Sequence, residues 1–176
     1  MKEFNYKEYF DMGETPIIRD EVLKIIKPTM NGLDLGSAGC PVIPQAISVD
    51  RANGHFTDMV QYRCDVSRLS WLTDASMDYV YSSHCLEDFP PEQLPYILAE
   101  WCRVIKPGGY LMLYLPNEQK YRRHCLARGA QRNLDHKDPN FSHKTVLANI
   151  PQGMRNIKTI ENHAAYSFFI VFQKQS

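Results

Sequence analysis

The pattern of apolar and polar positions indicates strands and helices that alternate along the chain. The clearest segment is residues 77–117, with an apolar strand at 79–81, an amphipathic helix, and a second apolar strand at 110–115. The sequence Lys-Pro-Gly-Gly at 106–109 is expected to stop the helix. This segment predicts a strand-helix-strand crossover in an α/β sheet. The apolar face of its helix consists of Leu94, Ile97, Leu98, Trp101, Cys102 and Ile105.

Apolar segments elsewhere predict further strands at residues 32–35, 47–50, 61–65, 157–160 and 166–174. Near the amino terminus, Thr15 is suited to cap a helix with Pro16 at its first position. Ser142 is suited to cap a short helix at residues 143–150. Between the fifth strand and Ser142, residues 117–140 form a long polar stretch without apolar periodicity, and we expect a loop there.

The connection between the first two strands is unusually short. Only nine residues, 37–45, separate them, and two of these are Pro41 and Pro44. A parallel crossover normally takes about a dozen residues and contains a helix. We therefore expect the amino-terminal helix, residues 16–26, to cover the exposed sheet face with Ile18, Val22, Ile25 and Ile26. Tyr6, Tyr9 and Phe10 would then lie near the mouth of a ligand site.

Polar groups follow the strands at the edge where open α/β sheets bind ligands. The first strand runs into a turn with Gly36 and Gly39, and the second ends in Asp50, whose carboxylate can accept both hydroxyls of a ribose. Ser83 and His84 follow the fourth strand. This arrangement predicts a nucleotide-type ligand.

These residues resemble class I S-adenosylmethionine-dependent methyltransferases, in which an acidic-x-Gly turn and an acid ending the second strand hold the cofactor. The resemblance covers residues 32–117 and is closest at 78–87 (DYVYSSHCLE) and 100–109 (EWCRVIKPGG). It implies a Rossmann-like α/β fold, with a seven-stranded, mostly parallel sheet, an antiparallel last strand and a shortened first crossover. Two departures are Ala38 and Cys40 in place of loop glycines, and Glu87-Asp88 in place of an acidic-His pair.

The resemblance implies S-adenosylmethionine as the cofactor and methyl transfer as the activity. Asp65 would accept from the adenine amino group, and His84 and His136 are the candidates for a general base toward an oxygen nucleophile. The cofactor contacts implied in this way are Asp34, Gly36, Ser37, Ala38, Gly39, Asp50, Arg51, Asp65, Val66 and Ser83.

Two alternatives stay open at this point. A NAD-dependent oxidoreductase would share the glycine turn and the ribose acid, although the chain lacks a complete Gly-x-Gly-x-x-Gly. A non-catalytic S-adenosylmethionine-binding module would fit the small size and the altered glycine loop.

Composition narrows the class of protein further. A length of 176 residues suits one domain, with residues 1–30 as a helical cap segment and 31–176 as an α/β core. The first residues lack the apolar core of a signal peptide, and no apolar run approaches the roughly 20 residues that span a bilayer, so we expect a cytoplasmic protein. The five cysteines form no Cys-x-x-Cys pair and the histidines show no ligand spacing, so no metal site is expected.

Charge is balanced overall and uneven locally. Lys plus Arg and Asp plus Glu both number 20, which gives no general attraction for nucleic acid. The segment 120–132, however, carries Lys120, Arg122, Arg123, Arg128 and Arg132 and no acid. It is either a solvated loop or a means of recruiting a small-molecule or glycan-type acceptor that carries phosphate or carboxylate. The oligomeric state is left open, with a homodimer among the options.

Overall fold

The computed structural model describes residues 14–51 and 60–176. The helices of these residues are α1 (Thr15–Leu23), α2 (Leu94–Val104), α3 (Glu118–Arg128) and α4 (His143–Asn149). Their strands are β1 (Gly32–Leu35), β2 (Ile47–Asp50), β3 (Tyr62–Arg63), β4 (Met77–Ser83), β5 (Ile105–Pro116), β6 (Met154–His163) and β7 (Ser167–Lys174). Within the described ranges, no helix is long and apolar enough to cross a membrane.

One sheet contains all seven strands in the order β3-β2-β1-β4-β5-β7-β6. The first five strands pair in parallel, whereas β7 lies between β5 and β6 and is antiparallel to both. The fold class predicted from the sequence, including the antiparallel last strand, is confirmed. The strand order reverses at β1, which places the carboxyl ends of β1 and β4 beside a crevice where ligands bind in such sheets.

Two apolar layers cover the sheet, one on each face. Side chains alternate along β4, β5 and β7, so that Val80 faces one layer and Tyr81 the other. Helices α2 and α4 cover the first face, with Trp101 and Val146 fully buried there. Helix α1 and the short crossover cover the second face. The core of that second layer includes Ile18, Val22, Ile26, Val42 and Ile43.

Helix α1 therefore does what a crossover helix would do, as the sequence predicts. Arg19 Nε donates to the Val42 carbonyl at 2.9 Å and ties α1 to the shortened crossover. The helix is shorter than expected, because Glu14 is its N-cap and it ends at Leu23, although Ile26 beyond it is still buried. The expected positions of Tyr6, Tyr9 and Phe10 lie outside the described residues.

Residues 117–140 differ most from the expectation, because helix α3 stands at the start of the segment for which a loop was predicted, and that prediction is wrong there. The Asn117 side chain accepts from the Lys120 amide at 3.1 Å, and Gly129 ends the helix with φ 61°. Both are ordinary helix-end signals. Only Glu118 and Cys125 of α3 are buried, so the helix has no apolar periodicity by which to be recognised.

A second difference concerns residues 106–109. They were expected to form a turn that precedes the strand, but β5 already begins at Ile105, which pairs with Met77. The next regular pair is Tyr79 with Tyr110, so residues 106–109 form an irregular bulge opposite Asp78. Lys106 Nζ bonds the Asp78 carboxylate at 2.7 Å and holds this bulge in place.

Candidate functional site

A cavity of about 320 Å³ opens at the carboxyl ends of the parallel strands. Its volume is in the range typical of small-molecule sites. Five of the cofactor contacts expected from the sequence line it, namely Gly36, Asp50, Arg51, Asp65 and Val66. The rest of the lining consists of Ser67, Cys85, Asp88, Phe89, Pro90 and Gln93. The cavity is therefore built by the ends of β1, β2 and β3 and by the turn after β4.

Asp50 is held in a fixed orientation at this cavity. Its Oδ2 accepts from the Ala38 amide and its Oδ1 from the Arg51 amide, both at 2.6 Å. Each carboxylate oxygen has two acceptor positions, so one on each oxygen is left. Asp50 can thus accept the two hydroxyls of a ribose while the backbone fixes its position.

The turn after β1 brings the backbone close to the turn after β4. Gly36 has φ +75°, and a Cβ added there would lie 2.6 Å from both Cβ and Sγ of Cys85. A side chain at this position would fill the space between the two turns, so the turn requires glycine. Ala38, which replaces a glycine of the family, also has a positive φ of 48°.

Ser37, Ala38 and Gly39 shape the turn without lining the cavity. Ser37 Oγ bonds Ser48 Oγ at 2.5 Å and accepts from the Gly39 amide at 3.3 Å. Ser83 is half-buried at the end of β4 and also lies outside the lining. Cofactor contacts by these residues stay predictions.

Asp34 lies beneath the short crossover and outside the cavity lining. Its side chain is buried, and Oδ2 accepts from the Val42 amide at 2.6 Å. Burial raises the pKa of Asp34 well above its usual range. The structure thus gives Asp34 a role in holding the crossover, and its predicted contact with a cofactor stays a prediction.

Asp65 forms an ion pair at the rim of the cavity. Its Oδ2 lies 2.8 Å from an Arg51 guanidinium nitrogen, and its Oδ1 accepts from the Ser67 amide at 2.9 Å. Partial burial acts to raise the pKa of Asp65, but the hydrogen bonds from Ser67 and Arg51 outweigh it and lower the pKa. The carboxylate is therefore ionised and able to accept from an amino group.

His84 lies outside the cavity lining, between two acids. Its Nε2 contacts Glu14, and its Nδ1 lies 3.4 Å from Glu87 Oε1. Burial alone would lower the pKa of His84, but Glu14 and Glu87 raise it to about 9. The imidazole therefore carries a proton at neutral pH. A protonated histidine cannot accept a proton, so this arrangement does not favour the general-base role considered from the sequence.

His136, from the segment after α3, contacts Glu87 as His84 does, and also contacts Glu118. Its Nδ1 lies 2.6 Å from Glu118 Oε2, and its Nε2 lies 3.8 Å from Glu87 Oε1. Arg122 Nε donates to the other oxygen of Glu118 at 2.7 Å. These contacts form a series in which acidic and basic side chains alternate, which we call the His-Glu network: Glu14, His84, Glu87, His136, Glu118 and Arg122.

No pattern in the sequence indicates that Glu87 and Glu118 contact histidines. Both are buried beside histidines that come from segments distant in the chain. Within a polar stretch of sequence, nothing local distinguishes an acid that will be buried beside a distant histidine from one that stays exposed. Among the described residues, no group of three or more His, Cys, Asp or Glu side chains is arranged to hold a metal ion.

A parallel sheet with a glycine turn and an oriented carboxylate at its switch point defines an α/β protein that binds a nucleotide-type cofactor. Residues 34–113 match the model of the methyltransferase domain family. With the fold described above, this match supports a class I S-adenosylmethionine-dependent methyltransferase, an enzyme whose cofactor is S-adenosylmethionine. The match favours methyl transfer over the NAD-dependent oxidoreductase and the non-catalytic module that the sequence leaves open.

Solved structures share this fold at low sequence identity. The PH0226 protein from Pyrococcus horikoshii OT3 has a TM-score of 0.70 and 15% identity, over 94% of this chain and 93% of that one. A SAM-dependent methyltransferase from Archaeoglobus fulgidus has a TM-score of 0.68 and 17% identity, over 99% and 100%. The N-methyltransferase NodS from Bradyrhizobium japonicum WM9, in complex with S-adenosyl-L-homocysteine, has a TM-score of 0.61 and 13% identity, over 99% and 90%. No curated protein sequence matches the chain.

Proposed function

We propose that the enzyme binds the ribose of S-adenosylmethionine at Asp50 and the adenine near Asp65 and Val66, and that it methylates an acceptor carrying phosphate or carboxylate. The observation that carries the cofactor assignment is the Asp50 carboxylate, which two backbone amides orient toward the cavity. The residues present fit the cofactor, because Gly36, Asp50, Asp65 and Val66 line one cavity at the carboxyl ends of the parallel strands.

When bound, the cofactor would supply a methyl group activated by its sulfonium, so that an in-line attack by the acceptor on the methyl carbon would release the sulfur as a neutral thioether. The protein then has to align the two reactants and keep them together. Such alignment corresponds to effective molarities of order 10⁵ M or higher. For this reason methyl transfer does not require a strong general base for every class of acceptor.

The assignment of an anionic acceptor is supported by the basic side of α3 and the residues that follow it. We call this the α3 arginine surface, and it consists of Arg122, Arg123, Arg128 and Arg132. An open cavity of about 440 Å³ lies there, lined by Arg122, Leu126, Ala130, Gln131 and Arg132. Arg122 is already paired with Glu118. Arg132 is exposed and has no partner in the part of the chain that the structure describes. Its guanidinium is free to bind phosphate or carboxylate with two parallel hydrogen bonds.

The cofactor assignment is tested by Asp50→Ala, with Asp20→Ala as a control that removes an exposed carboxylate from α1. Losing a charge-assisted contact to two hydroxyls should cost about 1.5 to 3 kcal/mol of binding free energy, or roughly 10- to 150-fold in affinity. Isothermal titration calorimetry with S-adenosylmethionine and S-adenosylhomocysteine measures this effect. Equal affinities of wild type and Asp50→Ala would contradict the ribose assignment.

The acceptor assignment is tested with a small-molecule extract of the source organism, separated on an anion exchanger. Tritiated methyl should enter the retained, anionic fraction. Arg132→Ala should raise the KM for that fraction and weaken its salt dependence, because a charge contact is lost. Arg128→Ala removes an equally exposed arginine outside the cavity and should have a smaller effect. Label confined to the unretained fraction would refute the anionic acceptor.

A further inference from the structure

Asp88 differs from the other carboxylates that line the cofactor cavity. Asp50 accepts hydrogen bonds from two backbone amides, and Asp65 accepts hydrogen bonds from Ser67 and Arg51. Asp88 Oδ1, by contrast, is buried and has no hydrogen-bond partner among the described residues. A buried carboxylate oxygen without a donor costs free energy, which a ligand donor would recover. Asp88 is thus the lining carboxylate that still lacks a partner.

The position of Asp88 separates it from the groups assigned to the cofactor. Asp50 and Asp65 follow β2 and β3, whereas Asp88 is on the short 3₁₀ turn Leu86–Asp88 after β4. The same turn contacts the segment that follows the α3 arginine surface in the chain, because the Lys137 amide donates to the Glu87 carbonyl at 3.0 Å. Asp88 therefore lies between the cofactor cavity and the segment that returns from the α3 arginine surface.

The charges around Asp88 suit a base that works at neutral pH. Burial, the adjacent Glu87 and the nearby Asp135 raise the pKa of Asp88 to about 6, whereas His136 and Lys137 act in the opposite direction. A carboxyl group with this pKa is ionised at pH 7 and is a better base than an ordinary aspartate.

We propose that Asp88 binds an amine of the methyl acceptor and takes the proton that this amine must lose, an inference that rests on the function proposed above. Asp88 first accepts a proton from the ammonium group, which frees the nitrogen lone pair. This lone pair forms a bond to the methyl carbon while the bond from that carbon to sulfur breaks, and its electron pair remains on the sulfur of S-adenosylhomocysteine. The product is the methylated ammonium.

Other nucleophiles fit this site less well. An aliphatic hydroxyl is far too weak an acid for a carboxylate to deprotonate. A phenol would have to react as an anion, which Asp50, Asp65 and Asp88 in one cavity would repel. Among the described lining residues, Arg51 is the single Lys or Arg. An amine approaches as a cation, which these carboxylates attract, and attacks as a neutral group. The acceptor class that this geometry favours is therefore a primary or secondary amine on a molecule that also carries an anionic group.

The test combines a variant with a chemical treatment of the acceptor. Asp88→Asn keeps the size of the side chain and removes the base, and Asp135→Asn is a control that removes a nearby exposed acid outside the cavity. The small-molecule extract is used untreated and after acetylation with acetic anhydride, followed by mild base that restores hydroxyls and leaves amines blocked. Tritiated methyl incorporation, calorimetric affinity for S-adenosylhomocysteine and a thermal melt are measured for each protein.

We expect acetylation of the amines to abolish incorporation by the wild type. Asp88→Asn should lower the rate at least about 100-fold, the usual contribution of a general base, with affinity for S-adenosylhomocysteine and melting temperature close to wild type. The pH profile of the wild type should also break near pH 6, where Asp88 becomes protonated. This break should be absent from the residual activity of Asp88→Asn, whose rate should follow only the neutral fraction of the amine.

Incorporation that survives acetylation would overturn the amine acceptor. A wild-type rate in Asp88→Asn, or a loss of rate equalled by Asp135→Asn, would overturn the role of Asp88. An untreated extract that accepts no label would instead contradict the function proposed above, and this inference with it.

Discussion

Helix α1 replaces the missing crossover helix, and Ile18→Ala tests this directly. Ile18 is fully buried in the layer that covers the sheet face of Tyr79 and Tyr81, and it is 0% exposed. The substitution removes three carbon groups, worth about 0.8 kcal/mol each in transfer free energy, or about 2.4 kcal/mol. The cavity left behind adds to this, so we expect a loss of about 3 kcal/mol, within the range of roughly 2 to 5 seen for buried Ile→Ala changes.

The neighbouring Ile17→Ala is a matched control, because Ile17 is 52% exposed on the same helix. Both variants gain the same helix propensity, so their difference isolates burial. Urea unfolding should show Ile17→Ala within about 0.5 kcal/mol of wild type. For a chain of this length Ile18→Ala should melt roughly 6 to 12 °C lower. Equal unfolding midpoints for the two variants would show that α1 is an appendage that the sheet does not need.

Two further predictions concern the turns around the site. Because the folded-state pKa of His84 is raised to about 9, its stabilisation is fully present below the unfolded pKa of 6.5 and is lost as pH rises through 9. Urea unfolding should therefore show wild type up to about 3 kcal/mol more stable than His84→Gln at pH 6, with the difference shrinking toward pH 10, whereas a constant difference would argue against the ion pairs. Gly36→Ala combines a positive φ with a clash against Cys85, so it should lower both the melting temperature and S-adenosylmethionine affinity. Gly129→Ala, where a Cβ meets no atom within 4 Å, should cost only about 1 kcal/mol, and equal losses in the two variants would contradict the close approach.

Local patterns of apolar residues predict most of the helices and strands of this chain. The apolar steps of α2 and the short apolar runs of β1, β2 and β7 record burial along one element at a time. Residues that end such strands meet at one edge of the sheet, so strand order predicts a common site for Gly36 and Asp50, and the family resemblance adds Asp65. The unusual covering role of α1 also followed, because nine residues cannot form both a turn and a crossover helix.

The sequence by itself thus determined the order of the strands and of α1, α2 and α4, and the edge of the sheet at which a ligand is expected. The tertiary structure alone decided which charged groups meet: it directs Asp34 away from the cavity, joins Glu87 to His84 and His136, and leaves Asp88 without a partner. The physical reason is that apolar burial repeats along a single segment, and so leaves a period in the sequence. Ion pairing and desolvation depend on side chains that distant segments bring together, and no local pattern records them.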